Sequence, residues 1–484
     1  MVLLGGLVAG ICIGDRLGPG SARMILGAGV VLALAAYSTR GRRAVALGIV
    51  AMLLIGAALT QRAHDGLVHS PLAPLVANRA DATISGALVE DPSGERFTSS
   101  VLVRVARVDG VAAGNRTVFV TAGGDVGPRL RLLSAGDRVE LEGWFAPLTG
   151  FDARYRWRHA VARFDALTLT SFEGPASPVL RVANRLRSVV LGGTDRLPPT
   201  ERAVVAGFLL GDTRDVPREV EEQFRAAGLT HLVAVSGANV AFVLALVAPI
   251  LRRVGLAGRL VGGVAVLVVF GTMTRWEPSV LRACAMASCS MVAVFLGRPA
   301  AGLRVLAIAA LGLLVADPFL LHSVGFLLSC GASAGIVVLG PGLAARLRGP
   351  RWVREGLAVT LAAQIGVAPI LLPVFGEVPL VSLPANLVAV PLAGPLTVWG
   401  LVAGAAGTAL APWAPPVAAA LQVPTLMLVR AVLAIGALGA RVPIMIDVRG
   451  ACALVVLCAL GALTVAVRRA STLRRDAHGF VPAR

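Results

Sequence analysis

Apolar runs of similar length recur along this chain, separated by short polar connections, and one long stretch breaks the rhythm. The runs lie near 1–14, 22–37, 44–60, 231–251, 259–273, 278–297, 303–316, 319–340, 355–375, 380–411, 414–438 and 450–468. A helix needs about 20 apolar residues to cross a bilayer, so the pattern predicts a polytopic α-helical membrane protein of about twelve spans. Repetition on this scale excludes a cleaved leader as the reason for the apolar N-terminus. The run 380–411 is long enough to break and re-enter, which would change the count by one or two.

Residues 78–173 follow a different period. ATISGALVED, SSVLVRVARVDG, RTVFVTAG, DRVELEGWF and FDALTLTS alternate apolar and polar positions, with Gly, Pro and Asp turns between them. That is the signature of short strands in a small closed or sandwiched β module. Five strands in this length fit an OB-type barrel, whose open face commonly binds single-stranded nucleic acid. Residues 178–229 are amphipathic instead. In PVLRVANRLRSVVL, helical spacing collects Val179, Val182, Leu186, Val189 and Val190 on one face and arginines on the other. LPPTERAVVAGFLLGD is too short to cross, and REVEEQFRAAG reads as a charged helix ending at Gly228. These elements are expected along the outer interface or part-way into the bilayer. The resulting divisions are membrane spans 1–62, an extracellular β-domain 75–175, interfacial helices 178–229, a second membrane domain 230–470 and a tail 471–484.

Composition agrees. Of 484 residues 56% are hydrophobic and 15% charged, with mean hydropathy +0.79, whereas soluble proteins carry about 25% charged residues. The formal charge of +18 would suggest nucleic acid, but lysine is absent and all 45 basic residues are arginine. Many flank apolar runs: STRGRR, LRRVGLAGR, GRPAAGLR, RLRGPRWVR and the tail RRASTLRR are basic, while TRWEP, ADP and FGEVP are less so. The positive-inside rule explains that asymmetry and places both termini in the cytoplasm, with the β module outside the inner or plasma membrane. Cys12, Cys284, Cys289, Cys330, Cys452 and Cys458 all fall in apolar runs, with no CxxC. They imply neither a disulfide framework nor a metal site and read as small buried hydrophobes.

Polar side chains within or beside the spans carry the candidate chemistry, because each is costly in a bilayer unless partnered or facing water. LLGDTRDVPREVEEQFRAAGLTHLVAVSGANV brings Asp212, His231, Ser236 and Asn239 to the edge of a span and then into it. Asp212 and His231 are candidates for a charge pair. QIGVAPILLPVFGEVPLVSLPANLVAVPLAGP holds Gln364 and Asn386 among Pro369, Pro373, Pro384 and Pro391. Helices broken there would line a wet pathway; the plainer alternative is interhelical hydrogen bonding. Arg282 lies near the start of a span, where it either snorkels or serves the pathway, and Asp317 before Pro318 reads as a turn or cap residue. In the β module, charges balance at twelve Arg against twelve Asp plus Glu. Its C-terminal part, GWFAPLTGFDARYRWRHAVARF, interleaves Trp144, Phe145, Phe151, Tyr155, Trp157 and Phe164 with Arg154, Arg156, Arg158 and Arg163. Such a pattern suits base stacking and phosphate attraction on a single strand, or an interfacial belt seating the module on the membrane. HxH, HExxH and a phosphate-binding P-loop are absent, and neither an enzyme nor a cofactor is expected.

LLGDTRD…GLTHLVAVSGANVAFV, EPSVLRACAM, ADPFLLHSVGFLLSCGASAGI and the proline-rich segment above closely resemble the motifs of the ComEC competence family, and GFDARYRWRHAV resembles the segment closing its β-domain. The resemblance covers nearly all of 1–470 and is most specific over 205–395. It implies a channel taking one DNA strand through the inner membrane in natural transformation. Gly211, Asp212, His231, Ser236, Gly237 and Asn239, then Arg282, Asp317, Gln364, Asn386 and Pro384, fall on the matching motifs. Many members add a C-terminal metallo-β-lactamase-like domain, and this chain ends about 15 residues after its last run without an HxHxDH motif. The expected partners are therefore single-stranded DNA, the lipid bilayer, a separate nuclease, a DNA-receptor protein and a cytoplasmic ATPase, with homo-oligomerisation open. The competing readings are a secondary transporter of a small solute, built on the same broken-helix physics, and a membrane-anchored scaffold, which the polar residues within spans disfavour.

Overall fold

The computed structural model describes residues 1–20, 22–95, 98–233, 235–298, 301–442 and 445–447. The chain opens with helices α1 (Val2–Leu17), α2 (Ala22–Ser38) and α3 (Arg42–Val68), with α3 packed against both of the others and parallel to α1, and a short α4 (Ala73–Ala77) leads out of them. Six strands follow: β1 (Asp81–Leu88), β2 (Ser93–Glu95), β3 (Thr98–Val108), β4 (Val111–Ala122), β5 (Arg138–Ala146) and β6 (Ala160–Glu173). A short helix α5 (Val126–Arg131) lies between β4 and β5. The sheet order is β1-β5-β6-β4-β3-β2, and an additional β1–β3 pairing closes five of the strands into a barrel. Only β4–β6 is parallel. Each predicted segment supplies one wall strand. Their alternation puts Ile84, Val103, Val105, Val118, Val120, Leu141, Phe145 and Phe164 inside the barrel, with Leu130 of α5 buried among them. Asp109 and Gly110, both at positive φ, make the two-residue β3–β4 hairpin that a DG pair favours.

Beyond the barrel lie α6 (Pro178–Gly192), α7 (Pro199–Leu210), α8 (Arg218–Ala226) and α9 (Thr230–Val233). In α6, Val179, Val182 and Leu186 face outward together with Arg181 and Arg185, whereas Val190 is buried and Arg187 is only 6% exposed. A helix bordering lipid gains nothing by hiding its apolar face and can spend its interior on a paired charge. In α7, Ala203 through Leu210 are all buried, most of them in the largest apolar core.

The remaining helices are α10 (Gly237–Leu251), α11 (Leu256–Met273), α12 (Pro278–Phe295), α13 (Gly302–Ala316), α14 (Val324–Arg346), α15 (Arg351–Phe375), α16 (Ser382–Leu410), α17 (Pro415–Leu421) and α18 (Val423–Ala440). A two-stranded β7 (Glu377–Pro379) and β8 (Met445–Asp447) pair lies between α15 and α16 and after α18. Among the described residues eight segments are long and apolar enough to cross a membrane: 42–68, 230–251, 256–273, 278–295, 324–346, 351–375, 382–410 and 415–440. Helices α1, α2 and α13, at 16, 17 and 15 residues, are shorter than the twelve-span expectation requires. The expected span 450–468, the tail 471–484, Cys452 and Cys458 lie outside the described residues.

The prolines do not break the helices they occupy. α15 is continuous through Pro369 and Pro373, and α16 through Pro391 and Pro395, so 380–411 neither breaks nor re-enters. Inside a bundle, neighbouring groups can satisfy the carbonyls that proline frees. The interruptions fall elsewhere, at 376–381 between α15 and α16 and just before Ser236 between α9 and α10. Tight helix contacts depend on small residues: a Cβ on Gly366 would lie 2.2 Å from the Gly331 carbonyl oxygen of the adjoining α14.

Candidate nucleic-acid interface and the barrel junction

The barrel rests on one end of the helical bundle, and polar contacts define the junction. A 3₁₀ segment, Gly150–Arg158, joins β5 to β6. Trp157 leaves it to stack on His322 with ring centroids 3.8 Å apart and planes within 4°. Its edge contacts His64 of α3 and Phe319 of the 3₁₀ turn Pro318–His322. Asp15 near the end of α1 takes contacts from both His64 (3.1 Å) and His322 (3.0 Å). His159 Nε2 meets Asp317 Oδ1 at 3.1 Å, and the same Asp317 oxygen accepts from the Phe319 amide at 3.0 Å. Asp317 is thus the expected cap and also an anchor for the barrel. Because the helices alternate in direction, the connections 38–43, 251–259, 297–304 and 346–354, which carry the arginine clusters, lie at the opposite end.

The rest of the 3₁₀ segment is free of the bundle. Its three-residue repeat aligns Phe151 with Arg154, whose guanidinium carbon lies 3.4 Å from the Phe151 ring centroid. Phe151 is 75% exposed, and Arg154 and Arg156 are exposed beside it. Tyr155 stacks on Phe119 at 3.8 Å and takes a hydrogen bond from Arg154 Nη2 on its hydroxyl. Arg158 turns back to Glu90 at 2.5 Å, and Trp144 is half-buried on β5. Of the six barrel candidates, Arg154, Tyr155 and Arg156 therefore form an outward ridge with Phe151. Trp157 and Arg158 are engaged in contacts of their own, and Trp144 stands apart on its strand.

Asp212 belongs to a second junction. Gly211 ends α7 in the left-handed conformation (φ 75°) and turns the chain so that Asp212 accepts from Arg214 Nη2 at 2.6 Å and Arg187 Nη2 at 3.1 Å. Arg187 also reaches Asp91 of the barrel at 2.9 Å and donates to the carbonyls of Leu210 and Met273. Arg275, between α11 and α12, grips Asp91 through Nε (3.0 Å) and Nη2 (2.7 Å) and donates to Asn184 Oδ1. Burial alone would raise the Asp91 carboxyl, but the guanidinium groups of Arg187 and Arg275 outweigh it and hold the group at about 2. Asp212 is likewise lowered: burial opposes, and the hydrogen bond and charge of Arg214, with Arg187, prevail. His231 is not a partner of Asp212. It lies on the short α9 in contact with the Gly228 backbone, and the expected pair does not form among the described residues.

Deeper candidates are grouped by the helix interruptions. Ser236 precedes α10 and gives its hydroxyl proton to Asn239 Oδ1 at 3.1 Å. Asn239, 3% exposed, donates to the Phe208 carbonyl at 2.8 Å. Arg282 of α12 lies against Gly237, where a Cβ would sit 2.6 Å from Arg282 Nη2. At the other interruption, Gln364 donates to Ser382 Oγ (2.8 Å) and Asn386 to the Ser382 carbonyl (2.7 Å), with Pro384 in the first turn of α16 between them. Gln364 thus ties α15 to the start of α16, while the Asn386 bond stays within the first turn of α16. The Asn386 Oδ1 atom is buried without a partner. Cys12 is exposed on α1 rather than buried, whereas Cys284 is buried. No group of three or more His, Cys, Asp or Glu able to hold a metal occurs among the described residues.

A many-helix membrane protein with a small barrel docked on one end of its bundle is the class these features define. Within that class, the Competence protein family matches over residues 208–471, more than half of the chain, and this protein belongs to it. The chain is 29% identical over 269 residues to the uncharacterized protein YcaI of Escherichia coli, covering 51% of this chain and 34% of that protein. It is 25% identical over 295 residues to ComE operon protein 3 of Bacillus subtilis, covering 57% of this chain and 38% of the relative. The matches thus span little more than a third of either relative's length. No solved structure matches.

Proposed function

We propose that this chain conducts a single DNA strand across the inner membrane in competence, with the barrel outside and both termini in the cytoplasm. Family membership supports the process, and the exposed Phe151, Arg154 and Arg156, with the half-buried Tyr155 beside them, are the observation that carries the ligand. Exposed aromatics bearing guanidinium groups offer stacking faces and phosphate-directed charge together. The barrel is assigned to the OB type. Counting only its five wall strands, the order 1-2-3-5-4 with a parallel 3–5 contact and a helix between strands 3 and 4 supports that assignment. The arginine-rich connections at the far end support the orientation, and α1, α2 and α13 would raise the eight described spans to eleven by crossing with local thinning of the bilayer, with the twelfth expected run, 450–468, outside the described residues. A nuclease, a DNA receptor and a driving ATPase are the partners this reading calls for.

The test is binding of an oligothymidylate to the full-length protein in detergent at several salt concentrations. Affinity should fall with salt, and the triple change Phe151→Ala, Arg154→Ala, Arg156→Ala should weaken it by about tenfold or more. Salt-independent binding, or a triple variant that binds like the parent, would remove the ridge as the strand's receiving surface. The second reading, a small-solute transporter, draws on the α9–α10 interruption and a cavity of about 310 Å³ lined by Val243, Val266, Val269, Phe270, Met273 and Leu401. That lining is wholly apolar and would suit only an apolar solute.

A further inference from the structure

Arg282 is the fifth residue of α12, about 6 Å along the helix from its barrel-facing end. It is 9% exposed. Its Nε donates to Ser329 Oγ at 2.7 Å and its Nη1 to Met286 Sδ at 2.9 Å, both neutral acceptors. Among the described residues no carboxylate pairs with it, and Nη2 has no acceptor. That free corner of the guanidinium points at Gly237, the first residue of α10. The amino end of α10 is itself uncapped: Ser236 turns its hydroxyl to Asn239 instead of to the helix amides. An unpaired buried cation and the positive end of a helix dipole therefore converge on one spot inside the membrane domain. Two like-signed groups brought together in low dielectric repel unless an anion sits between them. Open amides with a guanidinium fork are the donor set that a tetrahedral oxyanion takes, and interrupted membrane helices present their amino ends to anionic groups in the same way.

We propose that Arg282 and the amino end of α10 bind one phosphate group, that of a phosphodiester in the passing strand; this occupant rests on the conduit reading above. Gly237 is part of the device, because any side chain there would push the guanidinium off the helix end. The site would give the path a step for phosphate just below the barrel, with selectivity for polyanions and no dependence on base identity.

Melting of the full-length protein in phospholipid-free maltoside detergent tests this. Inorganic phosphate, compared with chloride at equal ionic strength, should raise the melting temperature of the parent and of Arg282→Lys. Arg282→Gln should lower the apparent phosphate affinity about tenfold or more. No phosphate effect on the parent, or an equal effect on Arg282→Gln, overturns the site. An oligothymidylate and phosphatidylglycerol, added separately, distinguish the source. Stabilisation by the oligonucleotide that depends on Arg282 supports the strand as occupant, whereas Arg282-dependent stabilisation by the lipid alone overturns it. Oligonucleotide binding that ignores Arg282 sinks this site while leaving the conduit reading standing.

Discussion

Asp91 shows how much one side chain can carry at the junction. It is the barrel's carboxylate, gripped by Arg275 and Arg187 from two separate helical elements. Replacing it by Asn would leave the buried Arg275 without its carboxylate partner and Arg187 with Asp212 alone, and breaking such a pair costs about 3–5 kcal/mol. Asp91→Asn should accordingly lower the melting temperature well below that of a control such as Asp195→Asn, whose partner Arg202 is exposed; equal melting would show the network to be energetically idle. The pH dependence follows from the direction of the shift. A carboxylate depressed to about 2 stabilises the docked state above its unfolded value near 4, and that stability drains away as pH falls from about 4 toward 2. For this group the loss is roughly 2 kcal/mol. The melting temperature of the parent should therefore fall more steeply below about pH 4 than that of Asp91→Asn, and parallel curves would contradict the shift.

Elements differ in how far the chain's pattern foretells them. Every wall strand of the barrel is legible, because a barrel interior takes alternate residues and forces period-two sequence. Asp-Gly at the β3–β4 hairpin was similarly plain. Helix α6 is legible only in part: Val190 of its expected apolar face is buried, but Val179, Val182 and Leu186 lie outward and Arg187 enters the core. The prolines of α15 and α16 mislead because membrane helices can absorb them. Nothing local announces the Asp91 network either, since Arg187 and Arg275 lie 96 and 184 residues along the chain. A further sign was available in the backbone alone: Arg275 and Trp276 both adopt positive φ, at 56° and 54°, a strained pair that persists only where its surroundings demand it. The Gly366 contact predicts a packing failure at element scale. Gly366→Leu should separate α14 from α15 and reduce the yield of folded protein on size-exclusion chromatography, while Gly312→Leu, with open space around it, should not.

At the scale of the whole molecule, the two junctions fasten the barrel to one end of the bundle, and α10 and α12 begin at that same end. The ridge at Phe151 and Arg154 stands free, Trp157 and Asp91 fasten the barrel down, and Arg282 waits at the break below. Competence membership makes a strand the reading that uses all of these parts. Orientation is checked by single cysteines in a background cleared of native ones. Asp109→Cys in the barrel hairpin should react with a membrane-impermeant maleimide in intact cells, and Arg348→Cys at the far end should react only after lysis. The central claim is tested most directly by transformation frequency in a strain of the source organism lacking this gene, complemented with the parent or with the Phe151→Ala, Arg154→Ala, Arg156→Ala variant. The account predicts that deletion abolishes transformation, that the parent gene restores it, and that the variant restores about a tenth or less at equal membrane abundance. Normal transformation in the deletion strain of a competent host would contradict it.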